Sequence, residues 1–322
     1  MIYMLFDNPA DKQNMMFLND YKTAKIQQIY PQHKLNSTKE MLIACTDTIK
    51  RTNDGDTIIC WYDFMAVLCW WICKLQFKKR KIIAFNILLK DKATKKNKLA
   101  KLLYKSMLKS NDVKATVTSQ KYGEHLNKML GINKQFTLLH DIYHDNYNID
   151  YQGNIIPNSV FCGGRNGRDW DFLIKIANVM PEVVFNCVMP KDVYEQYKDS
   201  FSKNMIVKND IPEMEFLKLM CSSQLVVTPL DTEAPAGLIA FYQAAANSKM
   251  IITSDTVTTQ EYMSDDKGVL CGRNIDDWKK QILFYLKNIE ETNSRACKLK
   301  RFLECECSEI KYANTILELI TE

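Results

Sequence analysis

Short apolar runs of four to six residues recur along the chain. Each is followed by a longer stretch in which apolar positions return every three or four residues. A solid or alternating apolar run suits a buried strand, and a period near 3.6 suits a helix packed on one face. Strands are thus predicted at residues 2–6, 57–61, 81–85, 114–118 and 136–140, and then at 159–162, 183–188, 205–207, 225–228, 250–253 and 268–271. The longer stretches predict helices at 64–75, 99–110, 120–130, 169–178, 191–200, 213–222, 239–247, 258–263 and 275–288, with a final helical run from 290. Gly131 is placed to close the 120–130 helix. Strand and helix in regular succession argue for an α/β architecture with parallel sheets.

The polar stretch 143–158, which holds Gly153 and Pro157, is the natural place for a boundary. It predicts two Rossmann-like domains, 1–150 and 151–300, with 301–322 as a C-terminal helix able to return to the first. Two such domains facing one another leave a cleft between the carboxyl ends of their sheets, where ligands bind. Charge supports the division. Residues 1–150 carry 24 Lys and Arg against 14 Asp and Glu, and residues 151–322 carry 19 against 24.

The chain has 322 residues, 46% of them hydrophobic, as in an ordinary globular protein of about two domains. Its eleven cysteines are scattered without a Cys-x-x-Cys pair, and there are four histidines. That pattern supplies no zinc site and suits buried free thiols in a reducing compartment. The N-terminus turns polar too early for a secretory signal. Residues 58–77 are nearly long enough to span a bilayer, but Asp63 near the start favours a buried strand followed by an apolar helix. The expected location is therefore cytoplasmic.

Within 74–109 there are 13 basic residues and a single acid, Asp91. Such a block is either a solvated face or a surface for anionic lipid headgroups or a diphosphate-bearing substrate. Aromatic residues are not interleaved in it for base stacking, so no nucleic-acid partner is expected.

Two segments carry phosphate chemistry. In Phe161-Cys-Gly-Gly-Arg-Asn-Gly-Arg-Asp-Trp170 a strand runs into Gly163 and Gly164. Arg165 and Arg168 follow, and Asp169 is placed to cap the next helix. Glycines there let a backbone approach a diphosphate, and two guanidiniums can neutralise it and bond its oxygens. In the second segment Pro235, Ala236 and Gly237 form a small turn that opens directly into a helix starting near Leu238. The free N–H groups and the dipole of such a helix end attract an anion.

Together these segments resemble the donor site of retaining, family 4-like glycosyltransferases with a GT-B fold. The resemblance covers residues 111–290, and 1–110 by order of elements. It implies that Arg165 and Arg168 clamp the diphosphate of a nucleotide-sugar, a UDP-sugar by default, while Gly237 and Leu238 present backbone amides to it. The loop between the two arginines is two residues shorter than the common version. It also implies that Asn209 and Ile211 lie at the nucleobase. The family's pair of glutamates eight apart is not intact: Gln243 stands for the second, near the ribose, and Glu233 is the nearest acid to the first, at the sugar. Thr118-Ser119, Tyr122 and Leu130-Gly131-Ile132 are similar to the unit that closes the family's first domain.

Other signals are discounted. Asp54-Gly55-Asp56 spells a metal-binding Asp-x-Asp but sits in an Asn-Asp-Gly turn. Asp7-Asn8-Pro9 stands where the first domain often has a glycine-rich loop. His33, His125, His140 and His144 all miss the place at which a histidine sometimes faces the reacting sugar, and Asn86 occupies it. There is no Gly-x-Ser-x-Gly elbow and no P-loop.

The function expected from the resemblance is transfer of a sugar, with retention and without a metal or other cofactor, to a saccharide acceptor. A lipid-linked acceptor in surface polysaccharide or glycoconjugate synthesis fits the basic block, which would hold the chain against an anionic membrane. Two rivals stay open: a nucleotide-sugar epimerase, and a non-catalytic GT-B partner of another transferase.

Overall fold

The computed structural model describes residues 1–19, 26–91 and 93–321. They divide into two compact units: Met1–Ile142 with Glu309–Glu322, and Tyr143–Ser308. The division falls after 142 where the sequence suggested 150, and the returning segment starts at Glu309 where it suggested 301.

The first unit is a parallel sheet of β1 (Ile2–Leu5), β2 (Ile26–Ile29), β3 (Thr57–Cys60), β4 (Lys81–Ala84), β5 (Val113–Val117) and β6 (Thr137–Leu138). The strand order is β2-β1-β3-β4-β5-β6. Its helices are α1 (Asp11–Asn14), α2 (Thr38–Arg51), α3 (Asp63–Leu75), α4 (Lys95–Leu108) and α5 (Gln120–Leu130). The inner strands are almost wholly apolar because helices cover both faces of a parallel sheet. α5 has the expected bounds, with Ser119 capping its start and Gly131 in the left-handed region at its end.

Three elements escaped the sequence reading: α1, a single turn over Asp11–Asn14, together with β2 and α2. β2 is Ile-Gln-Gln-Ile at the sheet edge and is only partly buried, so it lacks the apolar run that marks the other strands. α2 is announced by a capping box, in which Glu40 N–H donates to Ser37 Oγ and Ser37 N–H to Glu40 Oε2. Other elements differ at their ends: α4 starts at Lys95, four residues early, because Thr94 caps it.

Residues 58–77 form β3 and α3. No helix among the described residues is long and apolar enough to cross a membrane. Nine cysteines are buried, but Cys297 and Cys305 are exposed, which corrects the reading of all eleven as interior.

The second unit holds β7 (Ser159–Gly163), β8 (Val184–Met189), β9 (Met205–Asn209), β10 (Leu225–Thr228), β11 (Ile251–Ser254) and β12 (Val269–Cys271). Its helices are α6 (Trp170–Asn178), α7 (Lys191–Tyr197), α8 (Glu213–Ser222), α9 (Leu238–Ala246), α10 (Val257–Met263), α11 (Ile275–Lys287) and α12 (Ile289–Glu306). The sheet is parallel, in the order β12-β11-β10-β7-β8-β9. Successive residues of β7 feed opposite cores, Val160 and Cys162 on one face and Phe161 on the other. The order reverses between β7 and β10, so the loops leaving these neighbours diverge at the sheet's switch point.

The final helical run is broken at Cys307 and Ser308, and α13 (Glu309–Thr321) returns to the first unit. There Tyr312, Ala313, Ile316 and Leu319 pack on Met4, Phe6, Ile59 and Phe85.

Two carboxyls of the first unit are removed from water, Asp63 fully and Asp141 in part. Burial pushes Asp63 up to about 6 although Leu88 N–H donates to it at 2.7 Å. Burial does the same to Asp141, which accepts from Asn86 Nδ2 at 3.1 Å. The folded chain therefore holds these protons more tightly than the unfolded chain, whose carboxyls titrate near 3.8. Their contribution to stability is greatest below that value and is lost as pH rises through about 6. Urea unfolding should show higher stability at pH 5 than at pH 7, by about 1.4 kcal/mol per group. Asp63→Asn with Asp141→Asn should reduce that difference without removing it, because burial also pushes Asp11 up to about 6 and raises Asp7; an unchanged difference would refute the assignment.

Candidate functional site

The loops leaving β7 and β10 interlock. Arg168 and Leu230 form an antiparallel bridge. Asp169 N–H donates to the Pro229 carbonyl, and Asp231 N–H to that of Gly167, both at 3.0 Å. A Cβ on Gly167 would lie 2.7 Å from side-chain carbons of Ala236 and Thr232.

Arg168 lies at the centre. It is 8% exposed, and its guanidinium is held by carbonyls: Nε donates to Gly163 at 2.9 Å, and Nη1 donates to Asn166 at 3.0 Å. Nη2 has no protein partner, and no carboxylate pairs with the group among the described residues. Burial lowers the guanidinium from its ordinary value. The cation also fills the space a side chain would need at two glycines. A Cβ on Gly164 would meet Nη2 at 2.4 Å, and one on Gly237 would meet Nη1 at 3.0 Å. Both glycines have positive φ, 128° and 81°. The sequence reading gave these glycines the task of letting a ligand approach; the structure shows that they first make room for Arg168.

Gly237 is the N-cap of α9 and supplies no side-chain bond, so the first N–H groups of that helix lack a side-chain cap. Pro235 is half-buried, while Ala236 and Leu238 are packed inside. Asp169 caps α6 as expected, accepting from Phe172 N–H at 3.1 Å, and it also pairs with Arg273 at 2.6 Å.

The remaining candidates have other partners. Arg165 is exposed, and its Nη2 pairs with Asp210 Oδ1 at 3.1 Å. Asp210 lies between Asn209 and Ile211 at the carboxyl end of β9, so Arg165 joins the glycine loop to that segment. Ile211 packs on the core and Asn209 is partly buried. Glu233 is turned toward α10: its Oε2 accepts from Val257 N–H at 2.8 Å and its carbonyl from Thr258 Oγ1 at 2.9 Å. Gln243 is buried, and its Nε2 donates to Glu213 Oε1 at 3.1 Å. Glu213, in the first turn of α8, escaped the sequence reading, because its only signal is an acid one residue after Pro212.

In the first unit Asn86 follows β4 with a φ of 42° and bonds Thr116 and Asp141. His33 faces Glu40, and His140 faces the Thr118 carbonyl. His125 stacks on Tyr122, and His144 meets Tyr147 edge-on. Asp54 pairs with Arg80, and Asp56 accepts from Asn53 N–H at 2.7 Å within the turn.

No protein-family model and no curated protein sequence matches the chain. Solved structures do. Anabaena HepE in complex with UDP-glucose superposes with a TM-score of 0.75 at 11% identity, with both chains covered in full. Sucrose-phosphate synthase from Thermosynechococcus elongatus gives 0.72 at 12%, over 99% of this chain and 87% of that one. TarM gives 0.69 at 15%, over 87% and 58%. The fold is GT-B. At these identities the likeness is one of fold, and the GT-B frame places the glycine loop and the α9 end at the switch point of its second sheet.

Gly237→Ala should destabilise the second unit by about 1–2 kcal/mol, since φ there is left-handed and the Cβ presses on Arg168. Chemical denaturation checks it, and a neutral result would show that the guanidinium is free to move aside.

Proposed function

We propose that this chain is a glycosyltransferase that takes its sugar from a nucleoside diphosphate, with UDP as the carrier. One observation carries the reading: a buried guanidinium without a counter-ion, set at a helix N-terminus that lacks a side-chain cap. A buried cation is stabilised by an anion placed against it. A diphosphate supplies that charge, and its oxygens match a guanidinium edge and backbone N–H donors. The HepE structures with UDP and with UDP-glucose support the same ligand class on the same fold.

In this proposal Arg168 and the first amides of α9, from Gly237 and Leu238, stabilise charge that gathers on the diphosphate as the sugar departs. Arg165 is the mobile second cation, released from Asp210 when the diphosphate arrives. Gln243, with Glu213 beside it, supplies a donor and acceptors for the ribose hydroxyls. Asn209 and Ile211 line the base, and the backbone at Gly163 and Gly164 borders the phosphates. Glu233 keeps one carboxylate oxygen for a sugar hydroxyl while the other holds α10. The reaction proceeds with retention and needs no metal. The acceptor is a saccharide carried on lipid, in glycoconjugate or surface polysaccharide synthesis. The chain works in the cytoplasm at an anionic membrane face, which it meets through the basic residues 74–109. The engagement of Glu233 by α10 favours one second reading, a non-catalytic partner that binds UDP without turnover.

Thermal stabilisation and slow release of UDP from a panel of UDP-sugars test this. Binding UDP should raise the melting temperature of the wild type. Arg168→Ala should abolish both the shift and turnover, whereas Arg165→Ala should weaken binding about tenfold and leave the fold intact. Turnover should survive EDTA. Wild-type turnover in Arg168→Ala would dismiss the site, and UDP binding without sugar release would favour the partner reading.

A further inference from the structure

The corner between α3 and β4 breaks two local preferences at one residue. α3 closes with Phe77 N–H donating to the Lys74 carbonyl at 3.3 Å and Lys78 N–H to the Cys73 carbonyl at 2.9 Å. That pair of bonds is a Schellman closure, which requires a left-handed residue at its turn and usually takes glycine there. Here the turn residue is Phe77, with a φ of 54°. A bulky side chain in that conformation is unfavourable. Burial could offset the cost, yet Phe77 is 94% exposed and Leu75 is 73% exposed beside it. The fold therefore gains nothing visible from the aromatic ring.

The surroundings are basic. Lys74, Lys78, Lys79 and Lys81 lie within four residues of Phe77. Lys74 is 3.6 Å from Asp112, and Asp54 is occupied by Arg80 and by the Lys79 N–H. Lys78, Lys79 and Lys81 make no ion pair among the described residues. An exposed aromatic and a leucine, with three lysines close by in sequence that make no ion pair among the described residues, match an anionic phospholipid surface. The cations meet the headgroups while the apolar side chains reach the acyl boundary.

We propose that Phe77, with Leu75, is an insertion anchor that seats the first unit in an anionic phospholipid bilayer. This rests on the membrane placement of residues 74–109 given above and adds the residue that enters the lipid. Charge alone would give a contact that salt dissolves, because screening shortens its range. An inserted ring adds an apolar contribution that salt leaves in place.

Phe77→Gly tests the anchor. Glycine prefers the left-handed turn, so the variant should melt at or above the wild-type temperature and keep its UDP shift. Co-sedimentation with phosphatidylcholine–phosphatidylglycerol vesicles should fall about tenfold relative to wild type, and the deficit should persist at high salt. Equal binding by the two proteins would overturn the anchor while leaving an electrostatic surface. Failure of the wild type to bind these vesicles would overturn the anchor and the membrane placement together, without touching the donor site, which the UDP shift reports. A dimer of the wild type without lipid that Phe77→Gly dissolves would assign the patch to a second copy of the chain and overturn the proposal.

Discussion

The desolvated guanidinium of Arg168 is the constraint around which the second unit's site is arranged. A cation out of water with carbonyl partners alone is costly, and it persists only where the surrounding backbone fixes it. Here the fixing is mutual. Gly163 and Asn166 accept its N–H groups, while Gly164 and Gly237 are without side chains because the guanidinium occupies that space. Gly167 is held against Ala236, which brings the α9 turn up to the same cation. A side chain at Gly164 or Gly237 would press on the guanidinium, and one at Gly167 on the α9 turn.

Topology explains why the charge lies there. β7 and β10 are neighbours at the point where the strand order reverses, so their carboxyl ends send chain in opposite directions and leave a space between. α9 starts at that space, and its N–H groups and dipole point into it. Arg165 is a different kind of cation. It is exposed and already paired, so its charge is available only in exchange for Asp210. In the proposed reaction, a buried cation and an exchangeable surface cation would divide ground-state binding and charge stabilisation between them.

The parallel α/β pattern was legible in the sequence because buried parallel strands are nearly continuous apolar runs, as in Thr57–Cys60 and Leu225–Thr228. β2 was not, since an edge strand of Ile-Gln-Gln-Ile has the composition of a loop. Gly163, Gly164, Arg168 and Gly237 could be picked out by residue type, but the physical reason for the glycines could not. Only coordinates show that the missing side chains at Gly164 and Gly237 accommodate an arginine of the same unit, and that the one missing at Gly163 accommodates Phe216. The partnership of Gln243 with Glu213 was equally invisible, because 30 residues separate two groups that the α8–α9 packing brings together. Spacing rules find motifs within one element and are blind to a carboxylate supplied by its neighbour.

The same logic applies to the backbone. Asn86 and Asp210 both have a φ of 42°, and each directly follows or nearly follows a strand at its carboxyl end. Non-glycine residues hold such conformations when local bonds over-determine them. Asn86 is tied to Thr116 and Asp141, and Asp210 to Arg165 and to Lys191 N–H. Their side chains are therefore the reason that glycine does not serve. Phe77 shares the conformation without any such bond, since its ring touches nothing that would fix it. At the two strand ends side-chain bonding offsets the strain, whereas at the α3 corner only the backbone bonds of the Schellman closure do. In the proposal above the contact for that ring comes from outside the chain, and the lysines near it in sequence match an anionic surface.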